Sequence, residues 1–73
     1  MTASHMGSRL RRLREENGLT QAAFAKLLGV PVATLRNWEQ NRFVMEAAAK
    51  TLLTLIDREP EAALRALRGP RAA

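Results

Sequence analysis

The chain has no cysteine, no tyrosine and a single histidine, His5, among its 73 residues. Without cysteine there can be no disulfide framework, no thiolate-based zinc finger and no cysteine nucleophile. One histidine cannot build a histidine-rich metal centre. The serines, Ser4 and Ser8, lie beside His5 in the N-terminal stretch, so a Ser-His-acid triad has no home either. Aromatic residues make up 4% of the chain, Ile56 is the only isoleucine, and no stretch alternates apolar and polar residues as a strand requires. No apolar run approaches the ~18 residues of a membrane-spanning helix, and no signal-peptide core precedes a cleavage site. The expectation is a cytoplasmic protein without a membrane partner.

Length sets a further bound. A chain of this size makes one small domain that buries only about 60% of the surface its unfolded form exposes, too little to enclose an active-site cleft. Neither an enzyme nor a cofactor-binding protein is expected. Acidic residues are also in short supply: 7 Asp+Glu stand against 12 Lys+Arg, for a net charge of +5. The imbalance is uneven. Up to Arg42 there are seven basic residues against Glu15, Glu16 and Glu39, a net of +4, whereas the remainder nets +1. A positive field concentrated in the first half of the chain points to a polyanion as partner.

What the chain has in quantity is alanine and leucine, the apolar residues with the best helix propensities. Capping and stop signals divide it into five helices. Residues 1–8 read as a disordered tag or leader ahead of the native sequence, 9–69 as the domain and 70–73 as a frayed tail. Ser8 caps the first helix, which ends at Asn17-Gly18. Thr20 caps the second, which carries Phe24, Leu27 and Leu28 before Gly29 stops it. The third starts near Pro31 and runs to about Gln40. The fourth spans about Met45 to Asp57, with Ala48, Leu52, Leu55 and Ile56 on one face, and the strip on the last two helices that includes Leu53, Leu64 and Leu67 is core first and dimer interface second. The fifth opens at Pro60 and ends at Gly69-Pro70. Linkers of a few residues imply antiparallel or steeply angled helices on one core.

The informative segment runs from Leu19 to Gln40. Two short helices meeting at a tight angle need apolar residues facing inward on both, a small residue where the backbones approach and a turn residue free to adopt positive φ. Phe24, Leu28, Val30, Leu35 and Trp38 supply the inward face, Ala25 the small contact and Gly29 the turn.

With Leu19-Thr20-Gln21, Phe24-Ala25, Leu28-Gly29-Val30 and Thr34-Leu35-Arg36-Asn37-Trp38-Glu39-Gln40 in this order, the chain resembles the helix-turn-helix domain of lambdoid phage repressors, Cro proteins and many bacterial regulators. Within that group it is most similar to small antitoxins of the HigA type, over about Leu10 to Leu67. The resemblance implies a compact all-α, five-helix, lambda-repressor-like domain that binds double-stranded DNA and needs no cofactor. It implies that the third helix enters the major groove with Val32, Ala33, Arg36 and Asn37 on base edges. Thr20, Gln21, Lys26, Thr34, Gln40 and Arg42 would meet the sugar-phosphate backbone. Arg14 and Glu39 occupy the positions of a structural ion pair. The side-chain chemistry agrees: Arg36 can donate twice to guanine, Asn37 can pair bidentately with adenine, and Val32 and Ala33 can pack on thymine methyls. Arg11 and Arg12 can add sequence-independent phosphate contacts.

The chain departs from the family pattern at Pro31, where a serine cap is usual, at Asn41, where glycine is usual, at Phe43, where a basic residue is usual, and over Met45-Glu46-Ala47, where a Pro-x-Gly-type opening of the fourth helix is usual. Glu46 adds a repulsive carboxylate there, and the Phe43-Val44-Met45 run removes phosphate-facing charge. That apolar run fits either a local mini-core or an intermolecular surface. The expected function is transcriptional regulation, by a homodimer repressing from an inverted-repeat operator, in the form of an autoregulating antitoxin if a toxin partner exists. The alternative is a protein-interaction module whose main role is to bind and neutralise that toxin. Charge placement generates a first prediction. If a dimer makes six to ten phosphate contacts, its affinity for duplex DNA falls about a thousandfold or more between about 50 and 200 mM salt. A nearly flat salt dependence in a filter-binding or anisotropy titration would argue against DNA as the principal ligand.

Overall fold

The computed structural model describes residues 3–42 and 46–69, without the side chains of residues 3–5. The helices are α1 (Ala3–Glu16), α2 (Gln21–Leu28), α3 (Val32–Glu39), α4 (Ala47–Arg58) and α5 (Pro60–Arg68). The fold is all-α. Phe43, Val44, Met45 and the tail beyond Gly69 lie outside the described residues.

Local chemistry sets the short helices. Thr20 has an extended backbone, and its Oγ1 accepts a hydrogen bond from the Ala23 amide at 3.0 Å, which satisfies one of the otherwise orphaned donors at the start of α2. At the other end Gly29 takes the left-handed conformation, with φ 75. Its amide donates to the Lys26 carbonyl, and the Val30 amide donates to the Ala25 carbonyl at 3.0 Å. This paired closure lets the chain turn sharply into α3. Pro31 stands just before α3 and offers no side-chain cap.

The end of α3 repeats the device without glycine. Asn41 takes φ 59, its amide donates to the Trp38 carbonyl at 3.1 Å, and the Arg42 amide donates to the Asn37 carbonyl at 2.8 Å. Asparagine suits this position because its short polar side chain makes the left-handed region accessible. Pro31 thus marks the start of α3 and the left-handed Asn41 its end.

Each helix contributes to one core. Leu10 comes from α1, Phe24, Ala25 and Leu28 from α2, Leu35 and Trp38 from α3, Leu53 and Ile56 from α4, and Ala63 and Leu64 from α5. Glu59 both ends α4 and precedes α5, and Pro60, whose missing N–H costs nothing at a helix start, begins the new direction.

Two expectations are corrected. The first helix starts at Ala3, so Ser8 is an exposed residue within α1 and not its cap, and residues 3–8 are helical. The extra turn is held by Gly7, which is buried against the end of α3. The inward face of α4 is also different. It comprises Ala49, Leu52, Leu53 and Ile56, at helical spacings of three and four, while Ala48 is exposed and Leu55 is 54% exposed. Apolar residues occupy two adjacent stripes of this helix, and the neighbours α1 and α5 select one of them. The contrast is testable by urea denaturation. Leu53→Ala should cost about 2 to 5 kcal/mol, and Leu55→Ala should stay within about 0.5 kcal/mol of wild type.

Candidate nucleic-acid interface

Alternate faces of α3 have different fates. Leu35, Trp38 and Glu39 are buried, whereas Ala33, Arg36, Asn37 and the cap residue Gln40 are exposed at relative positions i, i+3, i+4 and i+7. That spacing places the four side chains on one stripe. The stripe combines a small residue, a five-donor guanidinium and two amides that both donate and accept, a set able to meet base edges and phosphates.

The other residues expected at the interface divide. Val32 is half-buried and packs against the core, so its side chain is shared with the interior. Thr34 is also half-buried and lines a groove with Val30, Trp38, Ala49 and Leu52, on the side facing α4. Lys26 on α2 and Arg42 just beyond α3 are exposed, as is Thr20, whose hydroxyl oxygen already accepts the capping bond. From Thr20 to Arg42 the sole acidic residue is Glu39, and it is 5% exposed. The accessible surface of this segment thus carries Lys26, Arg36 and Arg42 with no opposing carboxylate.

Glu39 is buried because three donors converge on it. Arg14 Nε lies 2.7 Å from Glu39 Oε2 and Arg14 Nη2 lies 3.2 Å from Oε1. Gln21 Nε2 donates to the same Oε1 at 3.1 Å, and Arg14 Nη1 donates to the Leu19 carbonyl at 3.0 Å. One carboxylate thereby connects α1, the α1–α2 link, α2 and α3. Among the described residues no buried side-chain nitrogen or oxygen lacks a partner. Hydrogen bonding to the Glu39 carboxylate is the main reason the Arg14 guanidinium holds its proton more tightly than an ordinary arginine, outweighing the opposing effect of burial. Arginine is protonated at any physiological pH in any case.

Gln21 therefore differs from the phosphate contact that the resemblance implies. In the free protein its amide is engaged inside the ion-pair network, where it orients the N-terminus of α2 against the end of α3.

The arginines of α1 also separate. Arg9 forms a two-point ion pair with Asp57, Nε to Oδ1 at 2.7 Å and Nη2 to Oδ2 at 2.9 Å, which ties α1 to α4. Arg12 lines a cavity with Leu13, Asp57 and Pro60 on the same side of the molecule. Arg11 lies four residues after Gly7 and three before Arg14, both of which meet the end of α3, so Arg11 shares that side of α1 and, unlike Arg14, is exposed. Neither the Arg9–Asp57 pair nor the Gln21–Glu39 bond leaves a signal in the sequence, because each joins residues brought together only by the packing of the helices.

Two other classes of site have little support among the described residues. No group of three or more His, Cys, Asp or Glu side chains is arranged to hold a metal ion. No helix is long and apolar enough to cross a membrane.

Residues 10–57 match the family described as Helix-turn-helix, HTH_3. Over 49 residues, 67% of this chain, the sequence is 45% identical to the antitoxin HigA-2 of Vibrio cholerae serotype O1 (strain ATCC 39315 / El Tor Inaba N16961). The matched region is 47% of that relative, so the chain spans about half its length. No solved structure matches.

The ion pair can be tested by double-mutant cycle. Glu39→Ala should destabilise the protein by about 3 to 5 kcal/mol, since it leaves Arg14 charged in a site only 13% exposed. Arg14→Met combined with Glu39→Leu should recover much of that loss, because no charge is then left unpaired. Equal and additive losses in denaturation midpoint would contradict the coupling.

Proposed function

The chain belongs to the helix-turn-helix family HTH_3, and from that premise we propose that it is a sequence-specific double-stranded DNA-binding repressor. It acts as a homodimer on an inverted repeat whose half-sites lie one helical turn, about 34 Å, apart. The observation that carries this reading is the exposed stripe of α3, with Ala33, Arg36, Asn37 and Gln40 side by side in a segment, Thr20 to Arg42, whose single carboxylate is buried.

In this reading α3 lies in the major groove. Arg36 donates two hydrogen bonds to guanine O6 and N7, Asn37 pairs with an adenine edge, and Ala33 meets a thymine methyl, with the accessible part of Val32 beside it. Lys26, Gln40 and Arg42 bind phosphates on either side, assisted by Arg11 and by the hydroxyls of Thr20 and Thr34. An amide carries two N–H donors. Gln21 can hold Glu39 with one and meet a phosphate with the other. One recognition helix reads only a few base pairs, so two copies are needed for affinity and for a unique operator. The role places the protein in the bacterial cytoplasm, on the nucleoid when bound.

The similarity to an antitoxin supports a second reading, in which the chain neutralises a toxin and represses its own operon, or in which toxin binding is the principal role. The exposed face of α4 around Leu55 gives such a partner a surface remote in sequence from the DNA-reading stripe. A small ribonuclease encoded by the adjacent gene would favour this version.

Two substitutions separate base reading from phosphate binding. Arg36→Ala should cost about 1 to 3 kcal/mol on the preferred duplex and relax the preference at one base pair. Arg42→Ala should weaken all duplexes alike and reduce the salt slope by about 1. If both variants lower affinity for specific and random duplexes by the same factor, these roles are wrong.

A further inference from the structure

Gly7 is placed where no other residue fits. A Cβ built on it would fall well inside contact distance of the Trp38 carbonyl oxygen, 2.8 Å from the Glu39 carbonyl oxygen and 2.9 Å from Asn41 Oδ1. Two of these three neighbours are backbone atoms of the last turn of α3, which cannot rotate away as a side chain can. The Gly7 amide also donates to Asn41 Oδ1 at 3.2 Å. Asn41 is the residue whose left-handed backbone closes α3, and it stands between Gln40 and Arg42. A glycine inside a helix is unfavourable relative to alanine. Its presence in α1 is accounted for by the close approach it permits.

We infer that Gly7 and Asn41 form a latch that sets the angle of α3 against α1, and thereby aims the base-reading stripe and its flanking phosphate-binding residues. The inference rests on the DNA-binding reading above and extends it to a glycine ahead of the matched family segment. Glu39 holds the buried side of the last turn of α3 through side chains. The latch holds the same turn at its backbone carbonyls, about two helical turns along α1 from Arg14. Two attachments at different points define an angle where one would define only a distance. An alanine at position 7 must push α1 and the end of α3 apart, and α3 then tilts about the Arg14–Glu39 bond. Base-edge hydrogen bonds depend on that tilt more steeply than attraction to phosphates does, since the latter falls off gradually with distance. The latch should therefore act on discrimination between sequences more than on overall attraction to DNA.

The test compares wild type, Gly7→Ala, Asn41→Gly and the double variant. The readout is the ratio of affinities for the preferred and a random duplex, measured below the melting temperature of each protein. Asn41→Gly removes the acceptor and keeps a residue that takes the left-handed conformation without strain, so it keeps the test open if Gly7→Ala fails to fold. Each single variant is expected to lower the ratio about tenfold or more with a smaller effect on random-duplex binding, and the double variant should be little worse than the poorer single one. Full retention of the ratio in Asn41→Gly, or in a folded Gly7→Ala, overturns the latch while leaving DNA reading intact. A wild-type protein that prefers no duplex overturns both.

Discussion

The structure depends on one buried carboxylate. Helix α3 has only eight residues, far fewer than an isolated helix needs to be stable in water. It is held by what its inner face meets. Leu35 and Trp38 bury apolar surface against the other helices, an attraction without direction. Glu39 adds direction, because its two oxygens receive Arg14 from α1 and Gln21 from α2 at defined distances. The exchange is favourable only while every donor is present. A carboxylate taken out of water and left unpaired would destabilise the fold by more than the pair stabilises it. The same interaction that orients the outer stripe also removes the only negative charge that the α2–α3 segment has.

Around that interaction the backbone provides the frame. Gly29 after α2 and Asn41 after α3 use the left-handed region to turn the chain after paired carbonyl closures. Thr20 closes the start of α2. These local devices fix where the helices begin and end, while the core and the ion-pair network fix how they cross. The outer stripe of α3 contributes little to either task, which leaves its residues free to be chosen for recognition.

Much of this was legible in the sequence, and the reasons for what was not are physical. Thr20, Gly29 and the apolar spacing of Phe24, Leu28, Leu35 and Trp38 act within a few residues of themselves, so the helix-turn-helix could be placed from local rules. The face of α4 could not be, because Leu52, Leu53, Leu55 and Ile56 satisfy more than one helical register and only contact with α1 and α5 decides between them. The start of α1 was misplaced for a related reason: residues 1–8 were set aside as a leader, and Gly7 within them is a point of close approach to a helix more than thirty residues away. Val32 and Thr34 were expected outside, yet both are half-buried, since a helix this short has few residues that face solvent fully. Gln21 was assigned by resemblance to a phosphate, and its contact in the free protein is with Glu39.

Selection of bound sequences from a random duplex pool is the measurement that bears most directly on the central claim, since it interrogates base reading and half-site geometry together. The account predicts enrichment of an inverted repeat whose half-site centres lie about 10 base pairs apart, each half containing a guanine and an adenine at fixed spacing. Recovery of an unenriched pool, at salt low enough for the protein to bind DNA, would contradict it.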